Sequence, residues 1–360
     1  MNAGAGISDG QSSPAALQAA AGLYHAYFTG LILTLVSRRG SRDAADWVFH
    51  LFRHQHREKF LSSFEKLGLE TMPDAVACAA YHYLSNSIGG VTVEFMREND
   101  RKAWVNFVPP RWIYPGASIC GVPSEVSRAF LRGWYAQNGV SLGNPRLGFV
   151  CTAQTTDGQH GLSGYFLEHD RELAADERLQ FRPGELAPRF DPEKAPRLPD
   201  HWSPERLAKA GRNYAMEYIR SGLPRLVELF GSAEAASLGR LAARQVGAQL
   251  YRETAALLGV EPDAPAAFGQ FMLRLAAGEG DSAEMALQGD AVLVRREGWR
   301  LMRGLESPSP AIFEAWNGLL EGALAVHNRF CVLEALSRLD YGDDAFVWRI
   351  RRRPEHAQSS

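Results

Sequence analysis

The sequence has little cysteine, no excess of either charge and no long hydrophobic run. Its four cysteines, Cys78, Cys120, Cys151 and Cys331, include no CxxC pair. They therefore form neither a disulfide framework nor a zinc knuckle, and a reducing cytoplasm suits them best. Lys and Arg number 39 against 41 Asp and Glu, a formal net charge of -2. That balance gives no electrostatic reason to expect nucleic acid as a partner. The most apolar stretch, "LYHAYFTGLILTLV", contains His25 and runs into "SRRGSRD". At about 14 residues it is too short to span a bilayer, so no membrane partner is expected. The opening "MNAGAGISDGQSSPAALQ" has no Lys or Arg ahead of an apolar stretch, so it does not read as a secretory signal. Also missing are a GxGxxG after a strand, a P-loop, an HExxH and a GxSxG. Nucleotide-dependent and serine-hydrolase chemistry lose most of their ground, and no cofactor is expected. A soluble cytoplasmic protein is the expectation.

What is present is periodicity. Residues 14–39 alternate apolar and small side chains at helical spacing up to Gly40. A second helix is expected over 42–67, where Val48, Phe52, Phe60 and Phe64 share a face and Gly68 stops it. A third follows Pro73 and ends near "SNSIGG". "GVTVEFMRE" and "KAWVNFVPP" alternate as strands, "PSEVSRAFLRGWYAQNG" reads as a helix, and "NPRLGFVCTAQTTDGQHGLSGYFLEHD" as a strand pair. The charged, Pro-rich stretch from 182 to 203 reads as a connector. The order then recurs: helices over about 204–231 and 233–258, "PAAFGQFMLRLAAG", strands "SAEMALQ" and "DAVLVRREGW", helix "SPAIFEAWNGLLEGALAVHN", and a closing strand pair holding Cys331.

The fold expectation is thus α+β and pseudo-duplicated. Each of two similar units has three helices, a strand pair, a helix and a second strand pair, offset by roughly 180–190 residues. The units span 14–181 and 204–353, with tails at 1–13 and 354–360. Trp134 with Trp316, Asn144 with Asn328, and Cys151 with Cys331 are the loose anchors of the repeat.

The second unit carries a family likeness. Its helix ending in "GLLEGAL" is followed by "SRLDYGDDAFVWRI", with the turn Gly342-Asp343-Asp344 and the strand Phe346-Val347-Trp348. This pattern resembles the C-terminal half of the L-2-amino-thiazoline-4-carboxylic acid hydrolase family and the related 4-vinyl-reductase-type small-molecule-binding domains. The Cys usual near that final strand is absent, with Ala345, Phe346 and Val347 in its place. The resemblance implies hydrolytic opening of a small cyclic amidine or amide, or binding of an apolar small molecule.

Several constellations offer chemistry. Cys151 shares a strand face with Leu147, Phe149 and Ala153, the setting of an apolar core thiol; His160 or His327 beside it would make it a nucleophile. Cys331 shares a face with Leu333 and Ala335 and reads the same way. "YHYLSNSIGG" gathers Tyr81, His82, Ser85 and Asn86 at a helix end and reads as a pocket wall. Glu94, opposite Val93 and Phe95 on its strand, is placed to point into the same space as a general acid or base. Arg111 and Trp112, between prolines, suit a carboxylate-bearing ring, and Arg295, Arg296 and Trp299 occupy a comparable place in the second unit. His50, His54 and Glu58 lie on one helix face, as metal ligands would, but no second cluster completes them, and no metal is expected.

The resulting expectation is a cofactor-independent hydrolase acting on a small, cyclic, C–N-containing molecule. Arg111 and Trp112 bind it together with Tyr81 and Asn86; His82 or His327 moves protons; Cys151 or Glu94 attacks or activates water. The alternative is a non-catalytic sensor or carrier of the same fold. A homo-oligomer is left open.

Overall fold

Gly68 ends its helix as the sequence requires. It adopts φ 70°, and its N–H and that of Leu69 return to the carbonyls of Glu65 and Phe64, a left-handed cap that glycine enters without steric cost. In the computed structural model, residues 12–109, 116–261 and 265–353 are described. Arg111 and Trp112 lie outside them. The elements follow the expected order closely. Helices α1 (Pro14–Arg39), α2 (Ser41–Leu67) and α3 (Asp74–Ile88) precede β1 (Val93–Asn99) and β2 (Lys102–Phe107). Then come α4 (Ser124–Gly133), a short α5 (Asn138–Ser141), β3 (Leu147–Ala153), β4 (Leu162–Glu168) and β5 (Leu179–Phe181). The second run is α6 (Pro204–Phe230), α7 (Ser232–Leu257), α8 (Pro265–Glu279), β6 (Ser282–Gln288), β7 (Ala291–Glu297), α9 (Pro310–His327), β8 (Cys331–Ser337) and β9 (Phe346–Arg352). The protein is α+β, with two sheets of matching order: β1-β2-β4-β3-β5 and β6-β7-β9-β8.

Packing divides the chain elsewhere than at the Pro-rich segment. One compact unit is Ile32–Tyr214; the other takes the chain up to Leu31 together with Ala215 onward. The opening of α1 belongs to the C-terminal unit because its polar groups are satisfied there. The single Tyr27 hydroxyl proton is shared between the carbonyls of Gly239 (3.1 Å) and Ala315 (2.9 Å), and Tyr24 reaches Glu279. By the same logic the start of α6 belongs to the N-terminal unit, where the Tyr214 hydroxyl donates to Asn86 at 2.9 Å. By length and composition alone α1 would cross a membrane, but 61% of its apolar window is buried inside the protein.

Within the N-terminal unit, Phe149, Phe166, Ala103 and Val105 share the sheet face toward α3, through the pairs Phe149↔Phe166 and Ala103↔Phe166. The other face carries Met96, Trp104, Val150 and Tyr165, against which Leu167, Ala187 and Phe190 pack. Ala187 and Phe190 come from the stretch expected to be a connector. It is instead the cover of this sheet, because four large apolar side chains on a bare face would otherwise meet water. β5 extends the sheet in parallel beside β3, the one strand that the sequence pattern does not announce.

Within the C-terminal unit, Val292, Val294, Phe346, Trp348 and Ile350 alternate inward. α7 and α9 cross with backbones in contact. A Cβ on Gly247 would fall inside contact distance of the Leu319 carbonyl, and one on Gly322 inside that of Arg244.

The two cysteine strands are not equivalent. Cys151 sits opposite Gly164, just before a bulge at 151/153, whereas Cys331 opens β8 opposite Arg352. The matching bulge in β8 falls at Ala335/Ser337, so Ala335 stands where Cys151 does. The loose anchoring of Cys151 on Cys331 is therefore corrected by register.

Candidate functional site

The residues expected to form a pocket wall are core. Tyr81, His82 and Asn86 are buried in α3. The His82 ring stacks on Tyr135, at 3.9 Å between centroids, and lies nearly parallel to Phe166, at 5.4 Å. Its Nε2 lies 3.0 Å from the Asn138 amide nitrogen, and the Asn138 oxygen lies 3.2 Å from Nε2 of buried His56. Arg53 donates to His56 Nδ1 at 3.1 Å. A guanidinium can only donate, so His56 carries its proton on Nε2, gives it to the Asn138 oxygen, and leaves the Asn138 amide to donate to His82. Burial, and then the nearby Arg53, push the His56 ring down to about 3, so His56 is held neutral. Burial also pushes the Cys78 thiol up, opposed by a hydrogen bond from Asn138. Satisfied networks of this kind fix a unique core. Tyr81 is committed to a cluster with Phe60, Phe64 and Trp134, and Asn86 donates to the His82 carbonyl at 2.7 Å.

Glu94 does not share their space. It pairs with Asn106, which donates to its carboxylate at 2.7 Å. By strand alternation it faces the side of Met96 and Trp104, away from His82. Cys151 is buried and donates to the Ala153 carbonyl at 3.4 Å, while His160 is exposed on the loop beyond. His327 belongs to the C-terminal unit, where it lies buried at the end of α9 with Nδ1 2.5 Å from the Tyr251 hydroxyl. His54 meets Glu58 at 3.4 Å on a partly exposed helix face. Among the described residues no group of three or more His, Cys, Asp or Glu is placed to hold a metal ion. The expected catalytic set is thus divided between two units and two sheet faces.

A different site is built inside the C-terminal unit. Met272 and Leu275 of α8, Ala283 of β6, Val294 of β7, Leu319 and Leu320 of α9, and two tryptophans, Trp316 and Trp348, line a cavity that Glu279 and Arg296 also reach. It leaves about 10 Å³ for the centre of a water molecule, roughly what one water needs. Arg296 occupies an inward position of β7, after Val292 and Val294, where alternation calls for an apolar residue. Its presence there is offset by a charged cluster. Arg296 pairs with Asp281, with Nε at 3.1 Å and a terminal nitrogen on the same oxygen. A terminal nitrogen also lies 2.5 Å from Glu279 Oε2. Asp281 further accepts from the Arg300 N–H at 3.0 Å. Tyr24 donates to Glu279 Oε1 and accepts from Trp316 Nε1, both at 2.9 Å, while Trp348 Nε1 donates to Asn317 at 2.9 Å.

Burial pulls the Arg296 guanidinium down, but Glu279 and Asp281 together push it up. Burial pushes the Glu279 carboxyl up, with Arg296 opposing and Asp281 reinforcing. The Tyr24 phenol is pushed well up, by burial first and by Glu279 second. Of this cluster the sequence pattern singles out only Arg296. Glu279 and Asp281 flank the Gly280 turn after α8, and Tyr24 is an aromatic in an apolar helix. Neither carries a pattern that marks it as polar core.

No protein-family model, curated protein or solved structure matches the chain.

Proposed function

We propose that this chain is a small-molecule-binding protein, a sensor or carrier, that holds its ligand in the cavity between α8, α9 and the β6–β9 sheet. One observation carries the reading. The cavity wall is apolar and aromatic, with a few charged groups converging on it, the usual make-up of a small-molecule site. Hydrolysis by His82, Glu94, Cys151 and His327 has no such support, because catalysis needs its groups gathered within reach of one reacting atom. The cavity is narrow, so occupancy requires its wall to yield, and Met272 is the side chain best suited to do so.

The test uses indole as an apolar probe. Titration followed by tryptophan fluorescence should saturate at one indole per chain and raise the Tm. Ala283→Leu, which fills the cavity from β6, should abolish both effects in a folded protein. Absence of saturable uptake by the wild type, or uptake unchanged in Ala283→Leu, would overturn the reading.

A further inference from the structure

We infer that the cavity selects a small organic cation, an amine carried on an aromatic or aliphatic body, with Glu279 as its counter-ion. This deepens the binding reading above and rests on it.

The cluster is unbalanced. Two buried carboxylates, Glu279 and Asp281, share one guanidinium, that of Arg296. Asp281 takes Arg296 through both Nε and a terminal nitrogen and is completed by the Arg300 N–H. Arg296 therefore serves two carboxylates at once, and with both ionised the cluster is one positive charge short.

The hydrogen bonds of Glu279 leave a gap in the same cluster. Trp316 donates to the Tyr24 oxygen, so the phenolic proton of Tyr24 is free to go to Glu279 Oε1. Oε1 is satisfied. Oε2 is in ionic contact with Arg296, yet it is buried and accepts no aligned hydrogen bond. A buried carboxylate oxygen without an aligned donor is costly, and this one belongs to a residue lining a cavity.

The remaining wall suits a cation as well. Both indole N–H groups are committed, Trp316 to Tyr24 and Trp348 to Asn317. What the tryptophans have left to offer is ring carbon, whose faces attract cations. Arg296 already lies over Trp316, 5.0 Å from the ring centroid. An ammonium would supply the N–H that Oε2 lacks and the charge that the cluster lacks. A carboxylate would meet Glu279 as a like charge.

Three probes of nearly one shape separate the possibilities: benzylamine, benzyl alcohol and benzoate, each titrated into the full-length protein by calorimetry at pH 7. Benzylamine should bind at least tenfold tighter than benzyl alcohol, with benzoate weakest. Glu279→Gln should abolish the advantage of benzylamine over benzyl alcohol. The wild-type ranking stands as a test by itself should that variant not fold. Benzoate as the tightest ligand, or amine and alcohol binding equally, would overturn the inference while leaving a binding site in place. If none of the three binds saturably, the binding reading falls with it.

Discussion

Tyr24 donates its phenolic proton to Glu279 across 2.9 Å and 255 residues of chain. That bond ties the first helix to the end of α8, and with it the first helix to the C-terminal unit. It also sets which Glu279 oxygen carries an aligned hydrogen bond and which does not.

Removing Arg296 should expose what it neutralises. Arg296→Met leaves two carboxylates buried without a cation, and losing one partner of a buried ion pair costs about 3–5 kcal/mol. Urea denaturation should register a loss of that order. Adding Glu279→Gln to the same variant should recover part of it. A double variant no more stable than Arg296→Met would show that Glu279 carries no charge for Arg296 to neutralise.

The helix pair α7 and α9 depends on two positions without side chains. Gly247→Ala or Gly322→Ala drives a methyl into a backbone carbonyl of the facing helix, so a loss of about 1–3 kcal/mol or more is expected. Gly22→Ala in α1 is the control. Its Cβ meets nothing within 4 Å, and it should gain about 0.5–1 kcal/mol from helix propensity. Thermal unfolding of the three variants separates the two cases.

Acid should unfold the protein through buried neutral histidines. His56 is pushed down to about 3 by burial and Arg53, and His25 to about 4 by burial. A base whose folded pKa lies below its unfolded value contributes stability above the unfolded value, near 6.5. That stability is lost as pH falls, because the unfolded chain takes up protons that the folded chain refuses. Each group then removes at most about 1.4 kcal/mol per pH unit, between pH 6.5 and its own folded value. Denaturation midpoints at pH 7, 5.5 and 4.5 should fall in that order. An NMR titration in which the His56 ring protonates near 6.5 would contradict the assignment.

Asn138 is the hinge of the buried network, donating to His82 and accepting from His56. Asn138→Ala strands a ring nitrogen on each side, at about 1–3 kcal/mol apiece. Asn138→Asp should lift the His56 pKa from about 3 by giving its Nε2 a charged partner, and so flatten the acid limb of the stability profile. A His56 titration unmoved in Asn138→Asp would argue against the hydrogen bond.

Thiol labelling addresses the nucleophile directly. Cys120 is exposed, while Cys78, Cys151 and Cys331 are buried. Iodoacetamide should therefore modify Cys120 alone in the native protein, and all four in urea. Rapid native labelling of Cys151 would revive the hydrolase expectation.

The sequence by itself determined the elements and their order. Period-two and helical spacing are local signals, and glycine stops such as Gly68 act within one turn, so helices and strands fall close to where the pattern puts them. It also singled out Arg296, with Arg295 and Trp299, as a place for a guanidinium beside an aromatic. Tertiary structure alone decided what each residue is for. His82 and Asn86 look like a pocket wall because a polar helix end reads the same whether it meets solvent or Asn138 and Tyr214. The Pro-rich stretch looks like a linker because its few apolar residues are sparse in sequence, yet Ala187 and Phe190 cover a sheet. The cavity was invisible for the same reason. Tyr24, Glu279, Arg296 and Trp316 come from four elements, and only long-range packing brings the buried ion cluster to a cavity lined by two indole rings.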